Sequence, residues 1–131
     1  MQNQVSSKTL KTNYQVSIKT NTQQIIADEP EDLGGSDEGM QPNELLLASL
    51  AACTSITLQM YAQRKNWQLE EVQMQLNIDK HPTETGSIIE RHITLIGDLS
   101  EEQKQRLLQI ANACPVHKIL KNPIEIQTTI Q

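Results

Sequence analysis

A chain of 131 residues and 14.8 kDa has room for one domain with one core. Eleven basic against sixteen acidic residues give a net charge of -5, and only Tyr14, Tyr61 and Trp67 are aromatic, so DNA and RNA, which need positive charge and stacking platforms, are set aside as partners. No stretch reads as apolar over the roughly 20 residues of a bilayer span, and the N-terminal region lacks the apolar segment of a secretory signal, so the expectation is a cytoplasmic protein with no membrane partner.

Residues 1–12 are rich in Gln, Ser, Lys and Thr, show no periodicity, and are expected to form a flexible arm ahead of a single domain over 13–131. Tyr14, Val16 and Ile18 then alternate with polar residues, and a turn-like Thr20-Asn21-Thr22 leads into a second short run containing Ile25 and Ile26, which predicts a hairpin. Residues 28–39 are acidic, carry Gly34, Gly35 and Gly39, and have no hydrophobic period, which predicts an exposed loop.

From Pro42 to Lys65 the composition turns to Leu and Ala, strong helix formers, with Pro42 and Glu44 suited to a first turn and Arg64 and Lys65 to a last one. A long helix is expected, apolar nearly all round in its first half and so buried on more than one side, with Cys53 deep within it. Val72, Met74, Leu76 and Ile78 alternate as a strand, a turn follows from His81 to Gly86, and a second strand places Ile89, Arg91, Ile93 and Leu95 on one face. Ser100 with Gln103 is a helix-capping signature, and the helix it opens ends at Ala113-Cys114-Pro115. One short turn and a closing strand through Ile124, Ile126, Thr128 and Ile130 complete an α+β chain with an antiparallel sheet.

Cys53 and Cys114, 61 positions apart, fit no metal-binding spacing and are too few for a disulfide framework, so in a reducing compartment they are either inert thiols or a redox couple. A cysteine on an apolar helical face behaves as a small hydrophobe, which is the plain reading of Cys53. Cys114 precedes Pro115, and if Pro115 opens a helical turn its sulfur lies where thiolate is favoured. His117 follows and could assist that thiolate or lie at the surface, while His81 is expected in a turn and His92 pointing away from Arg91. The three histidines have no zinc-ligand spacing, and no Gly-x-Ser-x-Gly or phosphate-binding glycine pattern is present, so no metal or other cofactor is called for.

The run Gln41-Pro42-Asn43-Glu44-Leu45-Leu46-Leu47-Ala48-Ser49-Leu50-Ala51-Ala52-Cys53-Thr54, together with Gly97-Asp98-Leu99-Ser100-Glu101-Glu102-Gln103 leading to Ala113-Cys114-Pro115-Val116-His117-Lys118, resembles the two motifs of the OsmC/Ohr family. The resemblance implies an intertwined homodimer with a curved antiparallel sheet around long central helices. It also implies that Cys53 matches the peroxidatic cysteine and Cys114 the resolving one, acting on organic hydroperoxides and reset by an external dithiol.

Peroxidases of that family use an N-terminal arginine clamped by a glutamate on the central helix. This chain has no arginine before Arg64, and Glu44 stands nine positions before Cys53 rather than ten, in the register of an OsmC-like branch. Arg91 is then the candidate cation for Cys53, with surface pairing to Glu90 or Glu125 as the alternative. A second functional reading is a non-catalytic dimeric binding protein, with an apolar cavity for a small hydrophobic ligand and an inert Cys53.

Overall fold

The computed structural model describes residues 2–79 and 86–131, so His81 and most of its expected turn lie outside the described residues. The chain divides into two compact units, Met1–Leu46 and Leu47–Gln131.

In the first unit, strands β1 (Ser6–Thr9), β2 (Val16–Lys19) and β3 (Gln24–Ala27) form an antiparallel sheet in that order. The expected hairpin is β2–β3, paired from Val16 opposite Ala27 to Lys19 opposite Gln24. The expectation of a flexible arm is corrected at Ser6–Thr9, which pair with β2 from Ser6 opposite Lys19 to Thr9 opposite Val16. All four residues of β1 are exposed, so neither face carries the hydrophobic alternation that marks a half-buried strand. The acidic loop contains a single 3-10 turn at Glu31–Leu33 and is organised around Asp28, which is 1% exposed. The Asp28 carboxylate accepts the backbone N–H groups of Tyr14 (3.0 Å), Glu29 (2.7 Å), Ser36 (3.2 Å) and Glu38 (3.1 Å).

Helix α1 runs over Pro42–Lys65, the bounds its Pro, Glu and basic residues predict. Inside the second unit one stripe of it is buried, Leu50, Thr54, Leu58 and Ala62, at helical spacing of four. Ile56 and Met60, on other faces, are 50% and 59% exposed, so within one chain the helix is covered on a single side rather than on several. At 24 residues α1 is long and apolar enough to cross a bilayer, which corrects the expectation that no such stretch exists: Leu, Ala and Ile outweigh its scattered Ser, Thr and Gln.

Strands β4 (Gln68–Ile78) and β5 (Ile89–Asp98) pair antiparallel from Gln68 opposite Asp98 to Ile78 opposite Ile89, with an irregularity between Leu69 and Glu71. Gly97 has φ +147°, and a Cβ there would collide with the Gln68 carbonyl, so the paired strand end requires glycine. Along β5, Ile89, Arg91, Ile93 and Leu95 are half-buried while Glu90, His92 and Thr94 are exposed, the alternation the sequence predicts. Helix α2 (Glu101–Ala111) opens on the expected capping box: Gln103 N–H donates to Ser100 Oγ at 3.1 Å and Ser100 N–H to Gln103 Oε1 at 2.9 Å. Leu58 of α1 meets Leu107 and Ala111 of α2 in the core, flanked by Trp67, Val72, Ile93 and Leu95.

Helix α3 (Pro115–Lys121) begins where Pro115 sets a helical φ, with Cys114 as its N-cap. Residues 123–131 form no strand, contrary to the expected closing strand, and Ile124, Ile126 and Ile130 are 58%, 81% and 96% exposed. The alternation there is real, but a strand also requires a neighbouring edge to pair with, which sequence periodicity does not report.

Candidate active site

Both cysteines are in the second unit, and both are free thiols. Pro115 ends α2's exit and opens α3, turning two successive backbone amides toward sulfur: Val116 N–H donates to Cys53 Sγ at 3.4 Å and His117 N–H to Cys114 Sγ at 3.4 Å. One turn of backbone therefore holds a sulfur from α1 and a sulfur 61 residues later. Cys114 is 0% exposed, whereas Cys53, expected deep within its helix, is half-buried. Cys114 caps α3 and is enclosed, whereas Cys53 lies one position off the buried stripe of α1.

Arg91 projects inward from β5, as alternation requires, and pairs with neither Glu90 nor Glu125. Its Nη1 donates to Thr54 Oγ1 at 2.9 Å and its Nη2 to Asn112 Oδ1 at 3.0 Å, and Nη2 lies 3.2 Å from His117 Nδ1. Glu90 lies instead beside exposed His92, at 3.7 Å. Thr54 Oγ1 in turn lies 3.6 Å from Cys114 Sγ. The cation sought for Cys53 is thus wired to the neighbourhood of Cys114.

The Cys114 thiol is held below its ordinary value. Burial pushes it up, but the His117 amide, the Thr54 hydroxyl, a hydrogen bond from Cys53 and the Arg91 charge together pull it further down. His117 is also held low, by burial first and then by the charges of Arg91 and Lys121. Its ring is therefore neutral at pH 7 with Nδ1 free to accept from Arg91, leaving Nε2 as the N–H.

A cavity of about 360 Å³ opens beside this network, lined by Leu50, Ile89, Arg91, Ile93, Leu108, Asn112 and His117. It combines apolar walls with three convergent polar side chains, the usual make-up of a small-molecule site. Glu44, the remaining expected site residue, belongs to the first unit, where its Oε1 accepts the Gln41 N–H at 2.8 Å at the start of α1.

Sequence reading did not single out Thr54 or Asn112. For Thr54 a signal was present: it interrupts, with a hydroxyl, an otherwise apolar i, i+4 stripe of Leu50, Leu58 and Ala62. For Asn112 there was none, because its role comes from the end of α2 meeting β5, a contact between segments 21 residues apart.

Residues 35–129 match the family model described as OsmC-like protein. An uncharacterized protein of Bacillus subtilis, YmaD, is 28% identical over 107 residues, covering 75% of this chain and 71% of that protein. Among solved structures, an OsmC-like protein from Mycoplasma pneumoniae superposes with a TM-score of 0.78 at 21% identity, covering 92% of this chain and 88% of the other. An organic hydroperoxide resistance protein OsmC from Legionella pneumophila does so with a TM-score of 0.66 at 21% identity, covering 92% and 90%. At such identities the structural matches establish a shared α+β fold of antiparallel sheets and a long helix.

Proposed function

The chain belongs to the OsmC-like protein family, and from that premise we propose that it is a cytoplasmic thiol redox protein that reduces organic hydroperoxides through Cys53 and Cys114. The carrying observation is the common cradle: consecutive amides of one helical turn hold both sulfurs. The relative from Legionella pneumophila, named for organic hydroperoxide resistance, supports the choice of substrate class.

In the first step the Cys53 thiolate attacks one oxygen of the O–O bond. The bond breaks, the other oxygen leaves with a proton as the alcohol, and Cys53 becomes a sulfenic acid. In the second, the Cys114 thiolate attacks the Cys53 sulfur, a disulfide forms, and hydroxide leaves to become water on taking a proton. An external dithiol then returns both thiols by exchange. Cys53 is the more accessible sulfur and suits the encounter with substrate, while the enclosed Cys114, favoured as thiolate by its amide, hydroxyl and cation, suits the second attack. The Leu and Ile walls of the adjacent cavity favour an apolar hydroperoxide over hydrogen peroxide.

The working unit in this reading is a homodimer. Exposed Ile56 and Met60 on α1, and the unpaired alternating tail with Ile124, Ile126 and Ile130, are the surfaces that a second copy would cover.

Consumption of cumene hydroperoxide with dithiothreitol as reductant tests the proposal. Turnover by the parent protein, lost in Cys53→Ser and reduced in Cys114→Ser, is the expected result; full turnover by Cys53→Ser overturns it. The second reading, a binding protein without redox chemistry, draws on the same cavity. It is favoured instead if an apolar ligand stays bound through purification and both thiols ignore hydroperoxide.

A further inference from the structure

The stripe of α1 that packs inside the second unit is apolar at Leu50, Leu58 and Ala62 and polar only at Thr54, which is 0% exposed. A buried mid-helix hydroxyl commonly returns its proton to the carbonyl four residues back, and Thr54 Oγ1 donates to Leu50 O at 2.7 Å. Two other groups meet the same oxygen. Arg91 Nη1 donates to it at 2.9 Å, and Cys114 Sγ lies 3.6 Å away in a contact that either atom could donate.

A hydroxyl has one proton and two lone pairs, so the traffic at this oxygen is a matter of counting. With the proton on Leu50 O, Arg91 fills one lone pair and the Cys114 S–H fills the other. Once Cys114 ionises, its sulfur can only accept, and the Thr54 proton has to turn from Leu50 O to Sγ. Leu50 O is left with its helical partner, since it lies in the interior of α1, so the turn costs little. The Arg91 bond persists in both states and polarises the O–H that moves.

We propose that Thr54 is a positioning residue for the Cys114 thiolate: its hydroxyl swings from Leu50 O to Cys114 Sγ on ionisation and carries the influence of Arg91 to the sulfur. The use made of that thiolate rests on the redox reading above; the switch itself does not. The titratable and charged groups facing Cys114 are Cys53 from α1, Arg91 from β5 and His117 from α3. His117 reaches the sulfur by its backbone amide, which donates whether or not the thiol is ionised, and its ring is turned to Arg91, so the ring does not take the place of Thr54.

The test is a titration of thiolate absorbance at 240 nm in a Cys53→Ala background, which leaves Cys114 as the only thiol. Against that parent, Thr54→Val moves the step to higher pH, with roughly tenfold less thiolate at a given pH below the midpoint, the size expected for one lost hydrogen bond to a charged sulfur. Thr54→Ser restores the parent curve. Arg91→Met also moves the step upward, and adding Thr54→Val to it moves the step little further, because the guanidinium acts through the hydroxyl.

An unmoved step in Thr54→Val, a serine variant no better than valine, or fully additive effects of the two substitutions would each overturn the proposal. Folding is read by circular dichroism. If the valine variant does not fold, Thr54→Ala removes the same hydroxyl and carries the same expectation. No hydroperoxide is used, so a protein that titrates as stated but leaves hydroperoxides untouched removes the redox reading and keeps the role of Thr54.

Discussion

Arg91 Nη2 lies 3.2 Å from Nδ1 of His117, and a guanidinium that only donates makes that nitrogen an acceptor. The geometry and the direction of the His117 shift agree, both requiring a neutral ring in the folded protein.

A pH dependence of stability follows with a definite sign. The folded value of His117 lies below the ordinary 6.5, so between the two the unfolded chain binds more protons. The stabilisation is complete above pH 6.5 and is lost as pH falls through the depressed folded value. His117→Gln, which does not titrate, should show a flatter profile of Tm against pH on the acid side of 6.5. Parallel profiles for the two proteins would contradict it, as would an imidazole NMR titration with its midpoint above 6.5.

Arg91→Ala should divide the proposed reaction at its second step. The guanidinium contacts Thr54, Asn112 and His117 around Cys114, so the loss falls on the Cys114 thiolate and on disulfide closure. After one equivalent of hydroperoxide, the Cys53 sulfenic acid should persist long enough to be trapped by dimedone, several-fold more than in the parent. Equal trapping in both proteins would remove Arg91 from that step.

Asp28 holds together the acidic loop of the first unit. Burial raises its carboxyl, but four backbone N–H groups outweigh that and hold it below 3.8. Its contribution is therefore present above pH 3.8 and lost as pH falls through the lower folded value. Asp28→Asn, which keeps the shape but not the charge, should lower Tm at pH 7 more than Asp32→Asn in the neighbouring exposed position. Equal melting of the two variants would count against the loop's dependence on this carboxylate.

Leu107→Ala should cost about 2–5 kcal/mol in urea unfolding, the range for a leucine deleted from a closed core, because Leu107 is 0% exposed between Leu58 and Ala111. Leu108→Ala, at 50% exposure, should cost far less. The reverse order would mean that α2 presents its other face to the core.

The local elements were legible in the sequence wherever one signal sufficed. The bounds of α1 follow from Pro42, Glu44 and the Arg64-Lys65 end, the capping box from Ser100 and Gln103, and the inward face of β5 from simple alternation. What the sequence hid depended on partners. β1 is exposed on both faces and so carries no period, while the tail at Ile124, Ile126 and Ile130 has the period of a strand but forms none. At the site, the two cysteines and Arg91 were readable as residue types. That Arg91 meets Thr54 beside Cys114, and that Cys114 rather than Cys53 is the enclosed sulfur, follows from tertiary packing of β5 and α2 against α1.

Pairing of Cys53 with Cys114 is read from the intact mass of the fully reduced protein before and after one equivalent of cumene hydroperoxide. A loss of about 2 Da per chain is expected, mapped by peptide analysis to a Cys53–Cys114 disulfide and reversed by dithiothreitol. An unchanged mass, or oxygen added to Cys53 with Cys114 still a free thiol, would contradict it.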